Sequence, residues 1–257
     1  MKNLTVIVPL HEYSDTTKKL LNEAIESFRA ADNGTTKLLF VGPSNVLSDV
    51  KKTYDGKNTI FVENENTNFQ TQINVAVEKC EEYFSILEFD DKYTPKWFEN
   101  VEKYMKEFDD VSYFLPLTKV LLYDKQEEIG FVNEAVWATS FSNELGYLDI
   151  ESLENYMNFN TTGGVFKTSD FIAVGKLKES MKLTFWYEFL LRSLFNGKKI
   201  FVIPKVGYIH SINRKMSLSD IYNRTITDEE ADFWIDCAKK EYMFKNDRNK
   251  KFENNAQ

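Results

Sequence analysis

The chain has 257 residues, of which 42% are hydrophobic, 15% aromatic and 28% charged. This is the composition of a folded globular protein, and with Cys80 and Cys237 as the two cysteines it excludes a disulfide-stapled scaffold and fits a reducing compartment. The 32 basic and 40 acidic residues leave a formal charge of −8, which excludes a surface that coats polyanions throughout but not a local basic groove.

In chain order, Leu4–Pro9 is a continuous β-branched run of the kind a buried parallel strand requires. It is too short for a signal peptide, and nothing later approaches about 18 apolar residues, so a cytoplasmic protein without a membrane span is expected. Residues 16–31 place Leu20, Leu21, Ala24, Ile25 and Phe28 on one helical stripe, closed by Asn33-Gly34. A strand at Lys37–Val41 stops at Gly42-Pro43, and Ser44 suits the N-cap of a short helix to Tyr54. Asn58–Val62 reads as a third strand, residues 69–82 as a helix with Ile73, Val75, Ala76 and Val77 inside, and Tyr83–Phe89 as a fourth strand. Thr94-Pro95 then opens a helix to Phe108, with Pro95 in its first turn.

The second half is less regular. Val111–Tyr123 and Ile129–Val132 read as strands around an acidic turn, Glu151–Met157 as a helix and Thr161–Phe166 as a short strand. Thr184–Phe195 is an amphipathic helix ended by Asn196-Gly197, the strand Lys199–Ile203 follows, and a last helix spans about residues 227–245 before a polar tail expected to fray. Alternation of strand and helix with short links predicts an α/β fold with a mostly parallel sheet covered on both faces.

Ligands of such sheets bind beyond the carboxyl ends of the strands. The first strand ends in Pro9-Leu10-His11-Glu12, the second in Gly42-Pro43-Ser44 and the fourth in Glu88-Phe89-Asp90-Asp91. Three carboxylates within four residues repel one another unless a cation or donors compensate. A divalent ion with hard oxygen ligands is one compensation; a solvated turn ahead of Thr94 is the other.

Three strings carry a resemblance. TVIVPLHEYSDTTKKLLNEAIESF, QINVAVEKCEEYFSILEFDDKYTPKWFENV and Gly163-Gly164-Val165-Phe166 followed by GKLKESMKLTFWYEFLLRSLFNGKKIFVIP stand in the order found in family-2 glycosyltransferases. The chain resembles that family over roughly residues 3–220. The resemblance implies a GT-A fold, a Rossmann-like sheet flanked by helices with a smaller mixed region on the acceptor side. Residues 1–108 would form the nucleotide-sugar half, 109–226 the acceptor and catalytic half, and 227–257 a C-terminal helix and tail.

The implied reaction is transfer from a nucleotide-diphosphate sugar, UDP-linked by preference, to a hydroxyl of a glycan, lipid-linked or other acceptor. It would depend on Mn or Mg and invert the anomeric centre. Carried over position by position, the resemblance makes Glu88, Asp90 and His210 the metal ligands. It assigns nucleotide-sugar contacts to Pro9, His11, Glu12, Asn68, Asn74, Asp91, Gly163, Gly164, Arg214 and Ser217.

The sequence also departs from the family. Gly42-Pro43 replaces the acidic pair after the second strand, so base recognition would fall to the backbone around Gly42. Phe185-Trp186 replaces the acidic pair that opens the catalytic helix, leaving Glu188 as the expected base, with Glu179 and Asp170 as alternatives. Glu188 equally suits an i, i+4 pair with Arg192. Trp186 would be a stacking platform for a sugar ring or a core residue. The tail cations Lys239, Lys240, Lys245, Arg248, Lys250 and Lys251 form a solvated face or touch an anionic acceptor. The lost acidic pair leaves open a non-catalytic relative that binds a nucleotide sugar or a glycan. Transfer to modified bases in DNA is a further alternative, which the net charge disfavours.

Overall fold

The computed structural model describes residues 1–254 apart from positions 2, 33, 182 and 216; side chains at 155, 218, 219, 223 and 244–254 are outside the description. The expected helix stop at Asn33 and the side chains of Lys245, Arg248, Lys250 and Lys251 therefore lie outside the described residues.

The first half follows the expected alternation closely. Strands β1 (Leu4–Pro9), β2 (Lys37–Gly42), β3 (Thr59–Glu63) and β4 (Tyr83–Ile86) pair in parallel in the order β3-β2-β1-β4. Helices α1 (Asp15–Ala31), α2 (Ser44–Tyr54) and α3 (Phe69–Val77) connect them. Alternation along β1 sends Leu4, Val6 and Val8 into one apolar layer with α1 and α2, and Ile7 into the layer beneath α3, so both faces are buried.

Several element ends differ from the expectation. Ser44 is not the cap of α2: Pro43 holds that position, and the Ser44 N–H is taken by the Glu65 carboxylate at 3.0 Å. Helix α3 stops at Val77, and Val75 faces solvent. Pro95 does not open the next helix, α4 (Trp97–Glu107), which starts after Lys96 in a left-handed conformation at φ +67°. Thr94 bonds instead to the backbone of Val206 and Gly207.

The second half turns the sheet into a mixed one. Strand β6 (Val111–Leu122) runs parallel to β9 (Lys199–Ile212) and antiparallel to β7 (Glu127–Val132) and β8 (Val165–Lys167). Strand β8 also pairs antiparallel with β4, so a single nine-stranded sheet crosses both halves of the chain. Helices α5 (Ile150–Asn155), α6 (Thr168–Ala173), α7 (Phe185–Phe195) and α8 (Leu218–Thr225) surround it, with a 3-10 turn at Glu134–Trp137. The last helix, α9 (Asp228–Asn254), continues where a frayed tail was expected and packs on α7, its Tyr242 hydroxyl donating to Glu188 at 2.7 Å. Among the described residues no helix is long and apolar enough to cross a membrane.

Two features of this half position the site. Strand β9 does not end at Ile203 but runs on to Ile212, and a two-residue strand β5 (Lys92–Tyr93) pairs with it antiparallel, Lys92 opposite Ile209. That register sets Asp91, one residue before β5, beside His210, one residue beyond Ile209.

Candidate active site

Between β1 and β4 the strand order reverses direction, which is where α/β sheets open a crevice. A cleft of about 290 Å3 lies there, lined by Pro9 and His11 at the end of β1, Glu88 to Asp90 after β4, and His210 to Arg214 with Ser217 at and beyond the end of β9. Phe69 and Gln72 of α3 and Asp220 of α8 close its sides.

Glu88, Asp91 and His210 converge, each offering one ligand atom within 4.8 Å of the others. Asp91 is buried, its Oδ2 lying 2.8 Å from His210 Nδ1 and its Oδ1 accepting the Ser211 N–H at 2.8 Å. Burial, and then the charge of Asp91, push the Glu88 carboxyl up to about 8. Burial works against a charged His210, but the adjacent Asp91 carboxylate outweighs it and raises the imidazole to about 9. Two facing carboxylates and one imidazole are a donor set that accepts Mn²⁺ or Mg²⁺, and a cation between them would offset both the burial and the repulsion that raise Glu88.

Asp90 turns away from this trio. Its Oδ2 accepts from Arg214 Nε at 2.7 Å, and the Arg214 guanidinium lies 4.9 Å from the Phe89 ring centre. Neighbouring residues of one turn thus separate the acidic motif into a carboxylate that meets His210, Asp91, and one held by arginine, Asp90.

The backbone around this motif is held by close packing. The Glu88 N–H donates to the Tyr208 hydroxyl at 3.1 Å, and the Tyr208 ring occupies the space a Cβ on Gly163 would need, 2.3 Å away. Gly163 has φ +77°, which only glycine adopts without strain, and its carbonyl accepts from Trp97 Nε1 at 2.8 Å. Gly42 likewise lets the Leu10 carbonyl approach to 2.4 Å of a would-be Cβ, fixing the loop that carries His11. His11 tilts against Phe89 with centroids 5.5 Å apart, and burial lowers its imidazole, keeping it neutral.

No family model and no curated protein matches the chain. Solved structures do. S. aureus TarS 1–349 superposes with TM-score 0.63 at 18% identity, covering 87% of this chain and 63% of that one. The same fragment in complex with UDP-GlcNAc gives 0.65 at 17% identity, over 85% and 61%. The mannosyltransferase PcManGT from Pyrobaculum calidifontis, in complex with GDP-Man and Mn²⁺, gives 0.60 at 13% identity, over 83% and 58%.

The chain has the GT-A fold. It spans less than two thirds of the length of these neighbours.

Within this GT-A fold, the expected site residues divide. Pro9, His11, Glu88, Asp90, His210, Arg214 and Ser217 line the cleft, and Asp91 lies directly behind it. Ser217 also caps α8 by accepting the Asp220 N–H at 3.0 Å. Glu12, on the cleft loop, accepts from Thr17 at 3.1 Å.

Others serve the scaffold. Asn68 caps α3 by accepting the Thr71 N–H at 3.0 Å. Asn74 is locked to Leu177, accepting its N–H at 3.0 Å and donating to its carbonyl at 2.9 Å. Gly163 and Gly164 admit Tyr208 and Leu115 at close range and are not among the cleft residues. Trp186 stacks on Phe166 at 5.9 Å and meets Phe69 edge-on at 6.5 Å, one ring removed from the cleft.

The expected bases fare unequally. Glu188 does not reach the cleft: it is 1% exposed and bound by Arg192 Nε at 2.8 Å, Lys178 at 2.9 Å and Tyr242. Burial alone would raise its carboxyl, but the bonds and charge of Arg192 hold it below the usual range. Asp170 pairs with Lys198 at 2.7 Å, just ahead of β9 and so at the opposite end of that strand from His210. Glu179 is exposed and accepts from Thr71 at 2.8 Å and Asn74 at 3.1 Å, on the helix that presents Phe69 and Gln72 to the cleft.

Phe69, Gln72, Phe89 and Asp220 were not expected at the cleft. The signal for Gln72 was present in the sequence: a glutamine on the apolar face of α3, buried and donating to the Leu10 carbonyl at 2.9 Å.

Proposed function

We propose that the protein is a glycosyltransferase that moves a sugar from a nucleotide-diphosphate sugar, UDP-linked by preference, to an acceptor hydroxyl with inversion. The observation that carries this reading is the convergence of Glu88, Asp91 and His210 at the switch point of a GT-A sheet, opening on the cleft that holds His11 and Arg214. These three residues would hold Mn²⁺ or Mg²⁺, which when bound offsets the charge developing on a leaving diphosphate. PcManGT, a structural neighbour, is described in complex with GDP-Man and Mn²⁺, and TarS with UDP-GlcNAc, which supports a nucleotide sugar as donor.

In this reading the neutral His11 ring and Phe89 flank the base, the Gly42 backbone takes over from the missing acidic pair, and Arg214 faces the diphosphate. Arg214 is preorganised for that role, since it is buried and already held over Phe89 by Asp90. Among the three carboxylates expected to act as base, Glu179 alone has no cationic partner among the described residues. We assign it the base role. The acceptor oxygen bonds to the anomeric carbon as the bond to the diphosphate breaks, the hydroxyl proton passes to Glu179, and the nucleoside diphosphate leaves with the electron pair.

The test is release of nucleoside diphosphate from UDP- and GDP-sugars with and without Mn²⁺. Binding of UDP with no release from any sugar donor would favour the non-catalytic alternative, which the half-buried Phe185-Trp186 pair in place of two acidic residues motivates.

A further inference from the structure

His210 and Ile212 line a second hollow besides the donor cleft. It measures about 400 Å3 and is walled by β7, by the segment Asn158 to Asn160 and by the end of β9. We infer that this hollow is the acceptor subsite and that it takes a neutral saccharide; the inference rests on the glycosyltransferase reading above.

Two residues shared with the cleft, His210 and Ile212, give the hollow its role. A group seated in it borders the same His210 whose other neighbours are Asp91 and Glu88, so its hydroxyls are presented beside the centre where a donor would react.

The walls give the ligand its chemistry. No Asp, Glu, Lys or Arg is among the lining residues. The charges next to it, Lys119 and Glu128, pair with each other at 2.7 Å, and Lys119 also rests over the Phe131 ring at 5.9 Å. An anionic polymer needs cations along its path, and the one basic side chain lining this hollow, His210, is already paired with Asp91 at 2.8 Å.

Large apolar side chains stand open instead, with Ile129 51% and Phe131 40% exposed. Strand β7 carries an extra residue here: Val120 pairs with Gly130 and Leu121 with Glu128, so Ile129 is bulged out of the ladder. Gly130, at φ +148°, has open space where a Cβ would stand. The bulge thus turns Ile129 out of the ladder, and Phe131, opposite Lys119, stands open beside it.

A pyranose ring matches both kinds of wall. Its C–H face covers an exposed aromatic ring, and its hydroxyls pair with amides such as Asn158, which is exposed on the rim. A lipid tail would desolvate the Asn158 amide on the rim without offering it a hydrogen bond.

The experiment is an array of neutral cello-, chito-, malto- and mannotetraose beside polyol phosphates, sulfated glycans and lipid-tailed sugars, probed with wild type, Phe131→Ala and Asn158→Ala. In parallel, thermal shift with UDP, UDP-GlcNAc and GDP-mannose plus Mn²⁺ reports the donor cleft and correct folding of each variant. The expected result is binding to at least one neutral series, weakened about tenfold in Phe131→Ala, the scale of one stacked aromatic contact, with the donor shift retained. Binding confined to anionic or lipid-tailed probes, no glycan binding, or undiminished binding by Phe131→Ala would overturn the acceptor assignment while leaving the donor reading intact. Absence of a donor shift in wild type would instead count against the glycosyltransferase reading.

Discussion

Asp91 and His210 lie 119 positions apart in sequence and 2.8 Å apart in space. The short ladder between β5 and β9 makes that contact, and it divides the acidic motif: Asp91 faces the histidine, Asp90 faces Arg214. The two carboxylates therefore differ in what their loss would do. Asp91→Ala is expected to weaken Mn²⁺ binding beyond the roughly 100-fold upper end for a supporting side chain, and Asp90→Ala by about tenfold. Calorimetric titration with Mn²⁺ checks this; a larger loss in Asp90→Ala would reverse the assignment.

Gly163→Ala tests the packing behind the motif. The added Cβ would stand 2.3 Å from the Tyr208 ring at φ +77°. Overpacking and backbone strain together should cost about 2–4 kcal/mol in urea unfolding. Displacement of Tyr208 should also loosen the Glu88 backbone and lower Mn²⁺ affinity. A neutral substitution would show that this contact yields freely.

Glu188 is assigned to stability. Glu188→Gln removes the charge that compensates buried Arg192, an expected loss of roughly 3–5 kcal/mol with donor affinity unchanged. Because the folded-state carboxyl is held below its ordinary value of 4.5, its contribution is fully present above that pH and is lost as pH falls through the depressed value. Wild type should thus lose stability on acidification more steeply than Glu188→Gln. Thermal melts between pH 3 and 7 decide; parallel curves would contradict it.

Glu179→Gln addresses the base. If Glu179 accepts the acceptor proton, kcat should fall by about 10²–10⁴ while the donor KM stays within a few-fold. An unchanged kcat would move the role to another carboxylate.

The fold was largely legible because its first half is built from buried parallel strands, whose apolar runs at Leu4–Pro9 and Lys37–Val41 leave little ambiguity. The site was legible only in part. Lys92–Tyr93 is too short to show any periodicity, and Pro204 and Gly207 read as the end of a strand that in fact continues to Ile212. Without those two segments nothing pairs His210 with Asp91 in preference to Asp90. Adjacent side chains of one turn point apart, and which of them meets a distant partner is decided by register. Glu188 was misplaced for a related reason: it was the first carboxylate left on the helix once Phe185-Trp186 replaced the acidic pair, whereas α9 and Arg192 close over it.

The proposed transfer depends on a cation held by Glu88, Asp91 and His210 at the nucleotide-sugar cleft. Its most direct test is nucleoside diphosphate release from UDP-GlcNAc, UDP-glucose and GDP-mannose by wild type and Asp91→Ala, with Mn²⁺ or with EDTA. Release from at least one donor that needs Mn²⁺ and disappears in Asp91→Ala is the predicted result. Release from none of them, or release that survives both EDTA and Asp91→Ala, would contradict it.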